Sequence, residues 1–211
     1  MAEIKKGSLE AIVGPMFSGK TGEMIDQIER ESYADLQAIT FKPDNDTRYS
    51  PDKVVTHGGK EIDAFPINRE NPDEILIIVR KIENDGRTVD IVGIDEGQFF
   101  TEGIIPVIEE LVSRDIIIIV AGLPTDYEDK PFGSMPIIIA KADKIVQKTA
   151  KCTFRDPGGS VCGAVATKTQ RLVAIPGQIV VGGAEMYAAH CRGHHHRPDE
   201  SVPGKPGEKD D

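Results

Sequence analysis

One stretch near the amino terminus has the residue types and spacing needed to hold a polyphosphate. The pattern G-x-x-x-x-G-K-T of a phosphate-binding loop is matched by Gly14-Pro15-Met16-Phe17-Ser18-Gly19-Lys20-Thr21. In such a loop the glycines let backbone N–H groups turn toward the phosphates, and the positive end of the following helix attracts them. Lys20 is then expected to reach the terminal phosphates, and the hydroxyl of Thr21 to bind Mg²⁺. The alternative is an ordinary glycine-containing turn.

Two acidic residues further along the chain could complete this chemistry. The apolar run 89–94 predicts a buried strand, and Asp95 and Glu96 follow it directly. Downstream of a phosphate loop, an aspartate in this position commonly orients Mg²⁺, often through water. Glu96 is expected at the carboxyl edge of the sheet, where it could take a proton from a hydroxyl group or from water, as in a kinase or a nucleoside triphosphatase. A solvated acid at a strand end is the alternative for Glu96.

The elements needed to position these residues are predicted by an alternation of apolar runs and helical patterns. Strands are predicted at residues 9–13, 37–41, 89–94 and 116–121, and more weakly at 142–147. Helices are predicted at residues 21–32, 72–84, 104–114 and 134–141. The strand runs are continuous, which is typical of strands buried on both faces. We therefore predict an α/β domain over residues 1–148, with a mostly parallel sheet flanked by helices, of the RecA-like phosphate-loop type.

The alternation stops near Lys148, and the character of the chain changes. Glycine, threonine and cysteine become frequent in residues 152–169, and two short β-like runs follow at 171–175 and 178–181. We predict a small second domain over residues 149–196. The segment 197–211 is rich in proline, glycine and charge and lacks apolar anchors, so it is predicted to be disordered.

Composition narrows the possible partners and compartment. The chain has 211 residues, a formal net charge of −10 and three cysteines. This charge argues against a nucleic-acid-binding protein, which usually has a basic face. The odd cysteine count fits a reducing compartment, and the sequence has neither a signal peptide nor an apolar run long enough to cross a bilayer. A cytoplasmic protein with no membrane partner is expected.

Several strings, in this order, resemble those of the type II (cellular-type) thymidine kinases. Besides the phosphate loop they are Lys42-Pro43, Asp46-Thr47-Arg48-Tyr49, Thr56-His57, Asp95-Glu96-Gly97-Gln98-Phe99-Phe100, Ala121-Gly122-Leu123, Pro131-Phe132-Gly133, Thr167-Lys168-Thr169-Gln170-Arg171 and Gly182-Gly183-Ala184 with Tyr187. The resemblance extends over residues 8–194. The string that begins at Asp95 is much more specific than the phosphate loop.

The resemblance implies ATP-dependent phosphorylation of the 5′-hydroxyl of thymidine. It implies that ATP is bound by residues 14–21 together with Asp95, Glu96, Gly97 and Gln98. Glu96 would be the general base, Lys20 would stabilise the transferred phosphoryl group, and Thr21 and Asp95 would serve Mg²⁺. Asp46 and Arg48 match residues near the phosphate acceptor, where Arg48 could neutralise developing charge. A surface ion pair is the alternative for Arg48.

The resemblance also implies a pocket for the thymine base, closed by a loop of the small domain that is called the lasso. The implied pocket residues are Met16, Phe99, Leu123, Tyr127, Phe132, Thr169, Val180, Val181, Gly182, Gly183 and Tyr187. Flat rings can sandwich a flat base, and glycine lets the backbone approach it. The chain departs from the family pattern at Pro124, where Asp or Asn is usual, and at Tyr127, where Phe is usual. The range of nucleosides that are accepted could therefore be broader.

The family's small domain carries a structural zinc ion held by two pairs of ligands. Cys191-Arg192-Gly193-His194 fits the second pair, with His in place of Cys. The first pair would be Cys152 and Cys162, which have an unusual nine residues between them. We predict a Zn²⁺ site formed by Cys152, Cys162, Cys191 and His194, with His195 and His196 as rivals for the fourth position. The alternative is three buried free thiols beside an accidental histidine cluster.

Two further properties are implied by the resemblance alone, namely a homotetramer and feedback inhibition by dTTP. Two other functions remain open from the residues. One is a phosphate-loop ATPase or GTPase whose zinc ribbon binds nucleic acid or protein. The other is a catalytically silent nucleotide-binding regulator, which the combination of Lys20, Thr21, Asp95 and Glu96 disfavours.

Overall fold

The computed structural model describes residues 7–45, 52–56, 58–175, 177–180 and 182–196. Four of the sequence predictions fall outside these residues. They concern Asp46, Arg48, Val181 and the segment 197–211.

The described residues form twelve strands and four α-helices. The strands are β1 (Leu9–Val13), β2 (Ala38–Pro43), β3 (Lys53–Val55), β4 (Glu61–Asp63), β5 (Phe65–Ile67), β6 (Ile91–Ile94), β7 (Ile117–Gly122), β8 (Lys144–Gln147), β9 (Ala150–Lys151), β10 (Val165–Ala166), β11 (Lys168–Arg171) and β12 (Tyr187–His190). The α-helices are α1 (Lys20–Ser32), α2 (Glu74–Asn84), α3 (Ile104–Ser113) and α4 (Met135–Lys141), and a short 3₁₀ helix spans Gly97–Phe99.

A six-stranded parallel sheet forms the centre of the structure. Its strand order is β5-β2-β6-β7-β1-β8, and every neighbouring pair is parallel. The central strands β1, β6 and β7 are buried along their whole length, as their continuous apolar sequences predicted. The predicted fold class, an α/β phosphate-loop sheet flanked by helices, is confirmed.

Alternate residues of the central strands form two separate cores. On one face, Ala11, Val92 and Ile118 pack with the apolar sides of α2, α3 and α4. On the other face, Ile12 and Ile119 pack with α1 and with Val54 of the β3–β4 hairpin. Because successive side chains of a strand point to opposite faces, one buried sheet can pack against a layer of helices on each face.

The strands and helices predicted within residues 1–148 are all present, with ends that differ by a few residues. Residues 72–84 contain β-branched residues at helical spacing, and they form helix α2 as predicted, with Ile75, Val79 and Ile82 buried on one face. The sequence did not predict β5 or the β3–β4 hairpin, since three-residue strands are too short to produce a periodic signal.

The two β-like runs predicted at 171–175 and 178–181 are wrong among the described residues. The strands lie on either side of them, in β11 and β12, which pair antiparallel with Arg171 opposite Tyr187. Beyond Arg171 the chain leaves the ladder, and the carbonyl groups of Ile175 and Gln178 accept hydrogen bonds from the Arg171 side chain instead. The pattern of apolar residues does not indicate a side-chain donor of this kind, so it predicted strands.

The chain after Lys148 forms its own small pairs of strands. β9 pairs with β10, and β11 pairs with β12, all antiparallel. Cys152, Ala166 and Ala189 form a third buried cluster that is separate from the two cores of the large sheet. Within the described ranges, no helix combines the length and the apolar character needed to cross a membrane.

Replacing Gly133 with alanine should destabilise the fold more than the same change at another glycine of similar backbone conformation. Gly133 has a φ of +51°, and a Cβ on it would lie 2.0 Å from the carbonyl oxygen of Gln98. Gly86 has a φ of +81° and open space around it, so Gly86→Ala isolates the cost of the backbone conformation. We expect a loss of about 1 kcal/mol for Gly86→Ala and about 2–4 kcal/mol for Gly133→Ala in urea unfolding. Equal losses would contradict the close contact.

Candidate active site

The phosphate loop lies between the end of β1 and the start of α1. A Cβ on Gly14 would lie 2.3 Å from the carbonyl oxygen of Lys148, so the loop can pass this point only with glycine. Lys20 Nζ donates a hydrogen bond to the carbonyl oxygen of Pro15 at 2.9 Å, which holds the ammonium group over the loop. Lys148 also donates to Glu23 in the first turn of α1 at 2.7 Å, and this hydrogen bond lowers the pKa of Glu23.

Thr21 and Asp95 meet at the carboxyl edge of the sheet. Thr21 Oγ1 lies 3.2 Å and 3.3 Å from the two carboxylate oxygens of Asp95. The residues are 74 positions apart in the sequence, and strand β7 lies between the strands β1 and β6 that precede them. A hydroxyl and a carboxylate provide the oxygen ligands that Mg²⁺ prefers. The geometry therefore fits the Mg²⁺ site that the sequence predicted.

Glu96 follows Asp95 in a left-handed backbone conformation, with φ 52° and ψ 44°. This conformation is uncommon for a residue other than glycine, and it turns the chain into the 3₁₀ helix. Glu96 lines the same cavity as Lys20, Thr21 and Asp95. Gly97 and Gln98, which were expected to contact ATP, do not line this cavity but lie buried behind Glu96.

A cavity of about 390 Å³ extends from the phosphate loop to the carboxy-terminal strands. Its volume is within the usual range for a small-molecule site. Nine of the predicted nucleoside-binding residues line it, namely Met16, Phe99, Leu123, Tyr127, Phe132, Thr169, Val180, Gly182 and Tyr187. The rings of Phe99 and Phe132 meet edge to face at 5.8 Å. Gly183, also predicted, is not part of the lining.

Arg171 holds the backbone around Gln178 at the edge of this cavity. Its guanidinium group donates to the carbonyl oxygens of Ile175 at 3.1 Å, Gly177 at 2.6 Å and Gln178 at 2.9 Å. It also donates to the hydroxyl of Tyr187 at 3.1 Å and lies 3.5 Å from the centre of the Tyr127 ring. Because Arg171 is only 8% exposed, these contacts hold this backbone in place in a largely dry environment.

Three further contacts join the carboxy-terminal strands to the rest of the site. The backbone N–H of Met16 donates to Thr169 Oγ1 at 3.0 Å, and Gln178 Nε2 donates to Asp126 Oδ2 at 2.7 Å. Lys168 forms an ion pair with Asp129. Burial acts to raise the pKa of Asp129, but the hydrogen bond and charge of Lys168 outweigh burial, so this pKa is lowered.

Sequence reasoning missed the structural roles of Arg171, Asp126 and Gln178. Arg171 appeared only within a family string, and neither Asp126 nor Gln178 was identified. The partners of Arg171 are mostly backbone carbonyl groups, and Asp126 is 52 positions from Gln178. No local pattern could have predicted either contact.

Four potential metal ligands converge on one point in the carboxy-terminal region. The ligand atoms of Cys152, Cys162, Cys191 and His194 all lie within 4.8 Å of one another. His194 Nδ1 is 3.6 Å from Cys152 Sγ and 3.4 Å from Cys191 Sγ. In a tetrahedral Zn²⁺ site with ordinary bond lengths, a nitrogen and a sulfur ligand are separated by about 3.6 Å. The residues therefore fit a closed structural zinc site.

The long spacing between Cys152 and Cys162 is bridged by a small hairpin. Cys162 N donates to the carbonyl oxygen of Phe154, and Gly163 N donates to that of Cys152. A single β-bridge between Arg155 and Val161 closes the turn. The hairpin brings both thiols to the same point despite their separation in sequence.

The contacts of the three neighbouring histidines select His194 as the fourth ligand. The His194 ring stacks on Phe154 with a centroid distance of 4.1 Å. His195 Nε2 instead contacts the carbonyl oxygen of Tyr127 at 2.9 Å, in the wall of the cavity. His196 exchanges backbone hydrogen bonds with the side chain of Gln170. Nearby, burial lowers the pKa of His190, and its Nδ1 lies 2.8 Å from the His194 carbonyl oxygen.

The fold and the site together define a class of protein. A phosphate loop and an adjoining hydroxyl–carboxylate pair line the same cavity as a set of apolar and aromatic side chains, which is the arrangement of a phosphate-loop protein with a small-molecule site. The family model described as thymidine kinase matches residues 7–195. The chain therefore belongs to the thymidine kinase family, as the strings in its sequence indicated.

Curated relatives show the same similarity over nearly their whole length. A thymidine kinase of Coprothermobacter proteolyticus is 43% identical, over 94% of this chain and 93% of the relative. Those of Thermococcus kodakarensis and Bdellovibrio bacteriovorus are 41% and 38% identical, over 92% and 94% of this chain and 96% and 89% of the relatives. Among solved structures, flagellar accessory protein FlaH of Methanocaldococcus jannaschii has a TM-score of 0.45 at 16% identity, covering 72% of this chain and 74% of that one.

Removal of His194 should reduce zinc binding, whereas removal of His195 should not. Elemental analysis of the purified protein is expected to give about one zinc ion per chain. His194→Ala should lower this content and the melting temperature, because the cluster loses one of four ligands. His195→Ala is the matched control, since it changes the adjacent histidine without touching the cluster. Folded wild-type protein without zinc, or equal zinc contents in the two variants, would contradict the assignment.

Proposed function

We propose that this protein is an ATP-dependent thymidine kinase, which transfers the terminal phosphoryl group of ATP to the 5′-hydroxyl of thymidine and yields dTMP. The observation that carries the proposal is the position of Glu96. This carboxylate lines the same cavity as Lys20 and Thr21 of the phosphate loop and as the aromatic residues Phe99 and Tyr187. A base between a phosphate site and an aromatic pocket is suited to activating the hydroxyl group of a bound nucleoside.

The transfer can be assigned to this chain's own residues. The 5′-hydroxyl oxygen forms a bond to the terminal phosphorus as the bond to the bridging oxygen of ADP breaks, and Glu96 takes the hydroxyl proton. Lys20 and the N–H groups of the phosphate loop stabilise the charge on the transferred group. Thr21 and Asp95 would hold Mg²⁺, which supplies further neutralisation of the phosphate oxygens. Arg48 and Asp46 remain predicted contributors near the acceptor.

The aromatic part of the cavity is suited to a flat pyrimidine base. Phe99 and Phe132 provide ring surfaces, and Val180 and Gly182 bring backbone close to the cavity. Backbone N–H and C=O groups in this position can read the polar edge of a base, while the rings supply apolar contact. Leu123 and Met16 complete the wall on the side of the phosphate loop.

We assign a structural role to the carboxy-terminal region. In this proposal residues 149–196 form a small zinc-bearing domain that closes the nucleoside site, and residues 1–148 form the nucleotide-binding domain. The Cys152, Cys162, Cys191 and His194 cluster lies on one side of this region, and His195 joins it to Tyr127 in the pocket wall. Inhibition by dTTP, a homotetramer and a cytoplasmic location remain predictions.

A phosphotransfer assay tests the proposed activity directly. Purified protein is incubated with Mg²⁺, labelled ATP and each of thymidine, deoxycytidine, deoxyadenosine and deoxyguanosine. We expect formation of dTMP, with the other nucleosides being poorer acceptors. Hydrolysis of ATP that does not depend on a nucleoside, without formation of dTMP, would refute the proposal and favour a phosphate-loop hydrolase.

Glu96→Gln should reduce kcat by about 10²–10⁴-fold, because the amide cannot accept the hydroxyl proton. In the Glu96→Gln variant, binding of ATP, measured by calorimetry, should persist. The variant Lys20→Ala should instead impair the use of ATP. Glu102→Gln is the matched control, since Glu102 is an exposed carboxylate a short distance along the same segment. Turnover of Glu96→Gln equal to that of Glu102→Gln would exclude Glu96 as the base.

Arg171→Lys should weaken nucleoside binding more than ATP binding. Lysine keeps the charge but lacks the planar set of donors that holds three carbonyl groups and stacks on Tyr127. We expect the KM for thymidine to rise by about tenfold or more, because at least one charge-assisted hydrogen bond is lost. The KM for ATP should stay within about twofold of the wild-type value. An equal rise in both KM values would argue against a role of Arg171 that is specific to the nucleoside pocket.

A further inference from the structure

Gln98 is a buried polar side chain that joins Glu96 to the wall of the pocket. It is 2% exposed, and its amide makes two hydrogen bonds. Nε2 donates to Glu96 Oε2 at 2.5 Å, and Oε1 accepts from the backbone N–H of Leu123 at 2.9 Å. We propose that Gln98 is a positioning residue, whose amide holds the carboxylate of Glu96 in the orientation needed to receive the nucleoside proton. This inference rests on the proposed function, in which Glu96 is the base.

The direction of the two hydrogen bonds follows from the groups involved. The N–H of Leu123 can only donate, so the amide oxygen of Gln98 must face it. The amide nitrogen is then turned toward Glu96, where it can only donate. Its partner must therefore be an oxygen that accepts, as an ionised carboxylate does. A hydrogen bond donated to a carboxylate stabilises its ionised form, which is the form that can act as a base.

The amide and the backbone of the 3₁₀ helix that carries it are both closely packed. A Cβ on Gly122 would lie 2.8 Å from Gln98 Oε1, and one on Gly133 would lie 2.0 Å from the Gln98 carbonyl oxygen. The hydroxyl of Ser134 donates to the carbonyl oxygen of Gly97 at 2.8 Å. The 3₁₀ helix thus fits into a space that two glycines leave open. A side chain packed in this way has little freedom to adopt other rotamers.

The hydrogen bond to Leu123 connects the Gln98 amide to the wall of the proposed substrate pocket. Leu123 is the residue after β7, and its side chain lines the cavity next to Phe99 and Phe132. The carboxylate of Glu96 and the wall of the nucleoside pocket are therefore connected through one amide group. An error in the placement of a reacting group by about 1 Å can cost about a hundredfold in rate. Positioning of this kind should affect kcat more than the binding of either substrate.

Two substitutions at Gln98 test different features of its amide group. One removes the amide, and the other replaces the N–H donor that faces Glu96 with a carboxyl oxygen. Gln98→Met keeps a similar length and removes both hydrogen bonds. We expect kcat to fall by about 10–100-fold, with the KM values for thymidine and ATP within about threefold of wild type. Gln98→Glu keeps the acceptor for Leu123 but places a carboxyl group against Glu96. The acidic limb of its profile of kcat/KM against pH should shift to higher pH, because two facing carboxyl groups share a proton.

Ser134→Ala is the matched control for a purely structural effect. It removes the hydrogen bond to Gly97 in the same buried segment but leaves the Gln98 amide and its two partners intact. This variant should lose stability, measured by urea unfolding, and keep the wild-type pH profile. If Ser134→Ala shifts the acidic limb as Gln98→Glu does, the role assigned to Gln98 is wrong.

A double-mutant cycle distinguishes failure of this inference from failure of the proposed function. In protein that already carries Glu96→Gln, the further change Gln98→Met should cost less than about threefold in kcat, since no base is left to position. If Glu96→Gln alone has normal turnover, the proposed function fails. If Glu96→Gln is impaired but Gln98→Met has the wild-type kcat, or if the two losses multiply independently, only the role of Gln98 is refuted.

Discussion

The site depends on three adjacent parallel strands that end at the same edge of the sheet. β1, β7 and β6 lie side by side, and the segments that follow them contain the phosphate loop, Leu123, and Asp95 with Glu96. Parallel pairing in register places these ends within a few ångströms of one another, although they are far apart in sequence. Because the three strands are buried on both faces, they provide a rigid support. The phosphate loop, the carboxylate of Glu96 and the pocket wall at Leu123 therefore have fixed relative positions.

The remainder of the pocket is held by a different kind of interaction. Ile175, Gly177 and Gln178 lie outside the β11–β12 ladder, and the Arg171 side chain donates hydrogen bonds to their carbonyl groups. The same side chain stacks on Tyr127, and Gln178 contacts Asp126. Beyond these residues, the Cys3His cluster fixes the end of β12 and directs His195 to the Tyr127 carbonyl group. The Cys3His cluster is therefore connected through His195 to Tyr127, which lines the pocket.

The fold could be predicted from sequence wherever burial imposes a pattern. The continuous apolar runs of β1, β6 and β7 predicted strands buried on both faces, and the spacing of Ile75, Val79 and Ile82 predicted a helix. Short or irregular segments could not be predicted in this way. β5 has three residues and is paired on one side in the main sheet. The apolar residues of the runs 171–175 and 178–181 predict strands, but the carbonyl groups of Ile175 and Gln178 accept hydrogen bonds from the Arg171 side chain instead.

The sequence by itself determined the chemistry of the site. The phosphate loop and the Asp95-Glu96 pair are defined by residue type and spacing, and the three cysteines and the neighbouring histidines have the donor atoms that a zinc ion needs. Only the tertiary structure decided how these groups are arranged. It brought Cys162 to the Cys3His cluster by a hairpin, placed His194 and not its neighbours in that cluster, and buried Gln98 against Glu96. These outcomes depend on contacts between distant residues, and the positions of distant residues are set by packing and not by local spacing.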